Sequence, residues 1–97
     1  MMEKIDKKIS LLHKITIDNL LGIHARPAAK IAEIANQAKL KVWLSANNNK
    51  VDAQSMIDIL TLGACMGTEV VIEVETPEDI FVLNMICDLF KSRFGEE

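Results

Sequence analysis

The hydrophobic and polar positions of this chain change period several times, and each change marks the start of a new element. From Leu11 to Asp18 the pattern alternates: Ile15 and Ile17 face one way, and Lys14, Thr16 and Asp18 the other. That is the signature of a half-buried strand. A loop over residues 19–22 follows. Between Ala25 and Ala38 the period becomes helical, with Ala28, Ile31, Ala32, Ala35 and Ala38 on one stripe and Arg26, Lys30, Glu33 and Gln37 opposite. The small residues let this helix lie close to its neighbours. Pro27 fits only a first helical turn, so the helix starts near Ala25 and His24 stands just ahead of it.

A second strand is expected over 40–45, with Leu40, Val42 and Leu44 on one face and Trp43 on the other. Three asparagines in residues 46–49 then mark a turn, and a short strand over 50–53 completes a hairpin. Ser55 with Asp58 forms a capping-box pattern for a short helix over 55–62, stopped by Gly63. Ile59 and Leu62 suit the core. Met56, Ile57 and Leu60 tend outward, either as a contact patch or as cover for a neighbouring element. Residues 69–75 alternate again, with Val70, Ile72 and Val74 inward and Glu69, Glu73 and Glu75 in solvent. Thr76-Pro77-Glu78-Asp79 opens a last helix expected to reach Phe94, with Val82, Leu83, Ile86, Leu89 and Phe90 buried. Lys91 and Arg93 suit its C-terminus, and Gly95 ends it. Residues 1–10 read as a charged extension and 11–97 as one domain. The order β-α-β-β-α-β-α predicts an α+β fold with helices on one face of a four-stranded antiparallel sheet.

Composition narrows the function. The 97 residues are 49% hydrophobic and 26% charged, as in ordinary globular domains. A net charge of −3, with three Phe, one Trp and no Tyr, gives nucleic acid neither an electrostatic nor a stacking surface. Cys65 and Cys87 lack metal-ligand spacing and are expected as buried free thiols in a reducing compartment. No metal constellation or cofactor motif is seen, and His13 reads as an ordinary strand residue. With neither a leader-like segment nor a membrane-length apolar stretch, a cytoplasmic monomer without membrane insertion is expected.

The most informative stretch is Gly22-Ile23-His24-Ala25-Arg26-Pro27. Gly22 permits a sharp turn. His24 then sits where free first-turn N–H groups, that of Ala25 among them, point outward and favour anions. Arg26 adds a planar charged donor suited to phosphate oxygens. The positive helix end disfavours imidazolium, which would keep His24 neutral and nucleophilic. A cap-region histidine without chemistry is the competing reading, and the residues alone leave both open.

The segment 22–29, G-I-H-A-R-P-A-A, resembles the active-site motif of the HPr family, the histidine-containing phosphocarriers of the bacterial phosphoenolpyruvate:sugar phosphotransferase system. The likeness covers about residues 11–94 and includes 54–63, Q-S-M-I-D-I-L-T-L-G, similar to the family's second-helix segment. It implies an open-faced β-sandwich and a carrier protein with no catalytic turnover of its own. It implies phosphorylation of His24 on Nδ1 by enzyme I, with Arg26 stabilising the phosphate, and onward transfer to enzyme IIA domains. Met56, Ile57 and Leu60 would dock these partners. Ser55 corresponds to a serine that a dedicated kinase modifies in many members. Leu21, Gln54 and Asp58 depart from the residues frequent there (Asn or Ser, Lys, and Gly). A regulatory, nitrogen-type phosphotransfer chain is the alternative setting. A small ligand-binding regulatory domain shares the element order but gives His24 no role.

Overall fold

The computed structural model describes residues 10–96, so nearly all of the charged segment 1–10 lies outside the described residues. Four strands form one sheet: β1 (Leu12–Thr16), β2 (Val42–Ala46), β3 (Asn49–Asp52) and β4 (Glu69–Val74). Their order is β1-β4-β2-β3, and every neighbouring pair is antiparallel. Three helices, α1 (Ala25–Ala35), α2 (Met56–Leu60) and α3 (Ile80–Lys91), accompany it. This is the expected α+β architecture. It arises because the inward positions of the central strands are apolar and mostly β-branched: Val42, Leu44, Val70, Ile72 and Val74 are all at most 1% exposed. Onto them α1 lays Ala28, Ile31, Ala32 and Ala35, and α3 lays Val82, Leu83, Ile86, Cys87 and Phe90. A fully buried side chain of Ile31 or Ile86 size contributes about 2–3 kcal/mol.

The hairpin turns at Asn47 and Asn48, whose φ values of 52° and 66° suit the tight two-residue turn that asparagine favours. Ala46 therefore pairs with Asn49, one position earlier than the pattern alone suggests. Glu73, opposite Trp43 on the outer face, pairs its carboxylate with Lys50 at 3.3 Å. His13 is an exposed residue of β1, as expected.

Several expectations need correction. Leu40 is 47% exposed and precedes β2. Its N–H and that of Lys39 donate to the two carboxylate oxygens of Asp79, at 3.0 and 2.8 Å, and this fixes the backbone in a non-strand path. Asp79 itself, only 1% exposed, was expected as an acidic residue at a helix start. Pro77–Asp79 is instead a 3-10 turn capped by Thr76, and α3 begins one residue later. The helix predicted to Phe94 stops at Lys91, and the chain beyond leaves the helical path. Likewise α1 ends at Ala35, not Ala38. Cys65 is exposed, because it lies in the loop after α2, not in an apolar element. Cys87 is buried as expected, and that burial pushes its thiol pKa up, as for an inert core cysteine.

Asp79 ties the α1–β2 connection to the start of α3. Asp79→Ala leaves two amides without their acceptor and should cost about 2–3 kcal/mol. Urea denaturation of the two proteins measures it. A loss below about 0.5 kcal/mol, within the range of an ordinary surface change, would show that water replaces the carboxylate.

Candidate functional site

The site begins at the turn after β1. The carbonyl of Asn19 accepts from Gly22 N–H at 3.1 Å, and Ile23 N–H donates to the carbonyl of Ala64 at 3.0 Å. Gly22 has φ +67°, and a Cβ there would lie 2.6 Å from the Ala64 carbonyl oxygen and 2.8 Å from Cys65 Cα. Glycine is required on both counts. With Ile23 buried beside it, the loop is pinned to the segment that follows α2.

His24 then caps α1 with extended backbone, φ −111°. Its carbonyl accepts the first helical bond, from Ala28 N–H at 3.0 Å. Pro27 has no N–H, so the first turn offers outward amides only at Ala25 and Arg26. Among the described residues neither amide donates to a backbone carbonyl. The His24 side chain makes no capping bond and is about one-third exposed at 32%.

The imidazole is held from the far end of the chain. Past α3, Arg93, Phe94 and Gly95 all have left-handed backbone, with φ of 56°, 56° and 74°. Two of the three are not glycine, so this path is strained. Three contacts sustain it. Phe94, 1% exposed, packs edge-to-face on Phe90 at 4.8 Å. Lys30 Nζ donates to the Phe94 carbonyl at 2.9 Å, and Arg93 pairs with Asp18 at 3.1 Å. The chain is thereby turned back across the start of α1, and Glu96 lands on the site.

One Glu96 oxygen, Oε2, is 2.8 Å from His24 Nε2 and 4.0 Å from Arg26 Nε. The other, Oε1, accepts from Asn19 Nδ2 at 3.1 Å. Asn19 is fully buried, and the same Nδ2 donates to the Gly22 carbonyl at 2.8 Å. Both partners are acceptors, so the amide orientation is fixed. Burial works to raise the Glu96 pKa. The hydrogen bonds from Asn19 and His24, with the charges of His24 and Arg26, outweigh it and hold the carboxyl below its usual range. Glu96 is thus ionised at neutral pH.

Neither Asn19 nor Glu96 stands out in the sequence as a site residue. Asn19 passed as a loop residue, and the tail passed as the end of a helix. Local patterning carried no signal that the tail folds back. The helix end and the Glu96 carboxylate set opposing fields on the ring, and the sequence argument weighed only the first. Arg26 is close to the ring's carboxylate partner but is itself 66% exposed, facing outward from α1.

On α2, Ser55 is the N-cap: its hydroxyl accepts from Asp58 N–H at 3.2 Å. The reciprocal half of a capping box is not made, since Ser55 N–H donates to the Asp52 carbonyl at 3.1 Å. Met56, Ile57 and Leu60 are exposed, by 38%, 73% and 37%. Leu20, Leu21 and Met66, in the two loops joined by the Ile23–Ala64 bond, are exposed as well. Gln54 is a tie between elements, donating to the carbonyls of Ala35 and Leu40 at 3.2 and 3.1 Å. Among the described residues no group of three or more His, Cys, Asp or Glu could hold a metal ion, and no helix is long and apolar enough to cross a membrane.

Most of the chain is similar to known proteins. Residues 12–92 match the family model described as PTS HPr component phosphorylation site. The chain is 36% identical to the phosphocarrier protein HPr of Cupriavidus necator, over 84% of this chain and 91% of that protein. It is 33% identical to the phosphocarrier protein NPr of Klebsiella oxytoca, over 86% of this chain and 93% of that one. The crystal structure of HPr from Thermoanaerobacter tengcongensis superposes with a TM-score of 0.82 at 35% identity, covering 89% of this chain and 97% of that one. The chain therefore belongs to the HPr family of phosphocarrier proteins of the phosphotransferase system.

Proposed function

We propose that His24 is the residue that carries the phosphoryl group, on Nδ1. It takes the group from phosphorylated enzyme I and passes it to enzyme IIA domains. The observation that carries this reading is the asymmetry of the ring. Nε2 is engaged by Glu96 at 2.8 Å, while no described residue hydrogen-bonds Nδ1, and the outward amides of Ala25 and Arg26 lie at the same helix end. An anion bonded to Nδ1 would meet those amides and the helix dipole. The Arg26 guanidinium is exposed enough to reach phosphate oxygens.

In the transfer, the Nδ1 lone pair forms the N–P bond as the bond from phosphorus to the donor's leaving atom breaks, its electron pair staying with the donor. With a proton on the other ring nitrogen, the ring takes on the positive charge. Handing the group to an acceptor reverses these changes. Incubation with enzyme I, magnesium and phosphoenolpyruvate should add an acid-labile mass of about 80 Da, one phosphoryl group. Absence of this adduct from the wild-type protein would end the reading.

Met56, Ile57 and Leu60, together with the exposed leucines beside His24, form the docking face in this proposal. Isolated apolar side chains need no explanation, but a group of them around a reactive residue does. Their exposure in the free protein fits brief docking over a small interface. Met56→Asp should weaken enzyme I binding about tenfold or more by titration calorimetry, and shift the unfolding midpoint little, because the side chain is exposed. Unaltered affinity would remove Met56 from the interface.

A further inference from the structure

The peptide that leads into His24 is held from the start of the same loop. The Asn19 carbonyl accepts from Gly22 N–H at 3.1 Å, and Asn19 Nδ2 donates to the Gly22 carbonyl at 2.8 Å. Residue 19 thus takes both polar groups of residue 22. The next amide, Ile23 N–H, is taken by the Ala64 carbonyl at 3.0 Å. The Gly22–Ile23 peptide is therefore fixed at its oxygen by the Asn19 side chain and at its nitrogen by the segment after α2, and both residues are buried. We infer that Asn19 is a positioning residue for phosphoryl transfer: its amide locks the peptide ahead of His24, so that the imidazole is carried in one place at the amide end of α1.

This inference rests on the phosphocarrier role of His24 proposed above. An asparagine that bonds nearby backbone is also an ordinary turn residue. Two observations set Asn19 apart. It is fully buried, and no described residue donates to its Oδ1. A buried acceptor without a donor weakens a fold, which offsets what the Nδ2 bonds contribute. The amide therefore adds geometry more than stability. The second observation is what depends on that geometry. The His24 side chain makes no capping bond and is about one-third exposed, so packing does little to place it. Its backbone must do so. After the ring, the His24 carbonyl is tied to Ala28 N–H at 3.0 Å. Before the ring, the Asn19 clamp is the counterpart. Gly22, at φ +67°, has no side chain to stiffen it, and without the clamp this pliable residue would stand two positions ahead of the nucleophile. A reacting group displaced by about 1 Å can lose about 100-fold in rate.

The test uses the full chain and two variants, with two readouts. Amide hydrogen exchange reads the clamp. Asn19→Ala should speed exchange of Ile23 N–H about tenfold, and by a larger factor than Ile72 N–H in the centre of the sheet. A merely weakened fold would speed Ile72 at least as much. Asn19 Nδ2 also donates to Glu96. Glu96→Ala removes that bond and leaves the one to Gly22, so its Ile23 exchange should stay at the wild-type rate. In transfer kinetics, with this protein as the varied substrate of enzyme I, Asn19→Ala should lower kcat about tenfold with little change in KM, because the exposed apolar side chains are untouched. An Ile23 acceleration no larger than that of Ile72, an equal acceleration in Glu96→Ala, or an unchanged kcat would each overturn the inference. A wild-type protein that accepts no phosphoryl group would end the His24 reading itself. A labelled wild type with an unaffected Asn19→Ala would end this inference alone.

Discussion

Replacing His24 with Ala should abolish labelling by enzyme I and phosphoenolpyruvate. The wild-type protein should gain about 80 Da and the variant nothing. The loss should be total because no other nucleophile stands at the site among the described residues: Asn19 is an amide, and Glu96 is committed to Asn19 and the ring. His13 remains as an internal control. It is an exposed imidazole on β1 without a helix end beside it, so labelling that followed mere histidine chemistry would persist in the variant. The fold should survive. His24 is partly exposed and makes no side-chain cap, so its removal should shift stability by no more than about 1 kcal/mol. Equal adducts on variant and wild type would place the acceptor elsewhere.

Gly22→Ala should destabilise the fold more than an added methyl group at Gly63, Gly67 or Gly95. The backbone there has φ +67°, which a side chain adopts only under strain, and the new Cβ would press on the Ala64 carbonyl oxygen at 2.6 Å and on Cys65 Cα at 2.8 Å. Both obstacles are backbone, so no rotamer change relieves them. Strain and overpacking each cost about 1–3 kcal/mol, which gives an expected loss of about 3 kcal/mol. Relief requires the 19–24 loop to lift from the 64–65 segment, which breaks the Ile23–Ala64 hydrogen bond and displaces His24. Urea denaturation and the transfer rate should therefore fall together. Wild-type stability with a lowered rate would mean that the loop moves at no cost to the fold.

Much of the fold was legible in the sequence because its elements are locally consistent. The alternation of residues 69–75, the proline that sets the start of α1 and the paired asparagines of the hairpin each state their structure within a few residues. The motif around His24 was legible for the same reason: glycine, histidine, arginine and proline occupy one turn. What could not be read was whatever depends on distant partners. Asp79 looks like a helix-start residue and spends its carboxylate on Lys39 and Leu40. Phe94 continues an apolar stripe and yet leaves the helix, because its ring is better buried against Phe90 and its carbonyl is wanted by Lys30. Glu96 is an unremarkable acidic residue until the tail is folded back. The predicted exposure of Met56, Ile57 and Leu60 needed only the helical period of α2.

The strand order has a consequence for how the protein is made. Residues 12–16 are synthesised early, but among the described residues their only sheet partner is β4, residues 69–74. At ribosomal speed, that edge strand waits several seconds for its partner to appear. Asn19 and Glu96, 77 positions apart, wait longer still. A nascent chain can therefore display the histidine motif well before it can hold the carboxylate behind the ring. Translation itself acts as a timer: the contacts that close over the start of α1 come only with the emergence of residue 96. A protease that clipped those last residues would reset the molecule to its unfinished state while leaving the sheet in place.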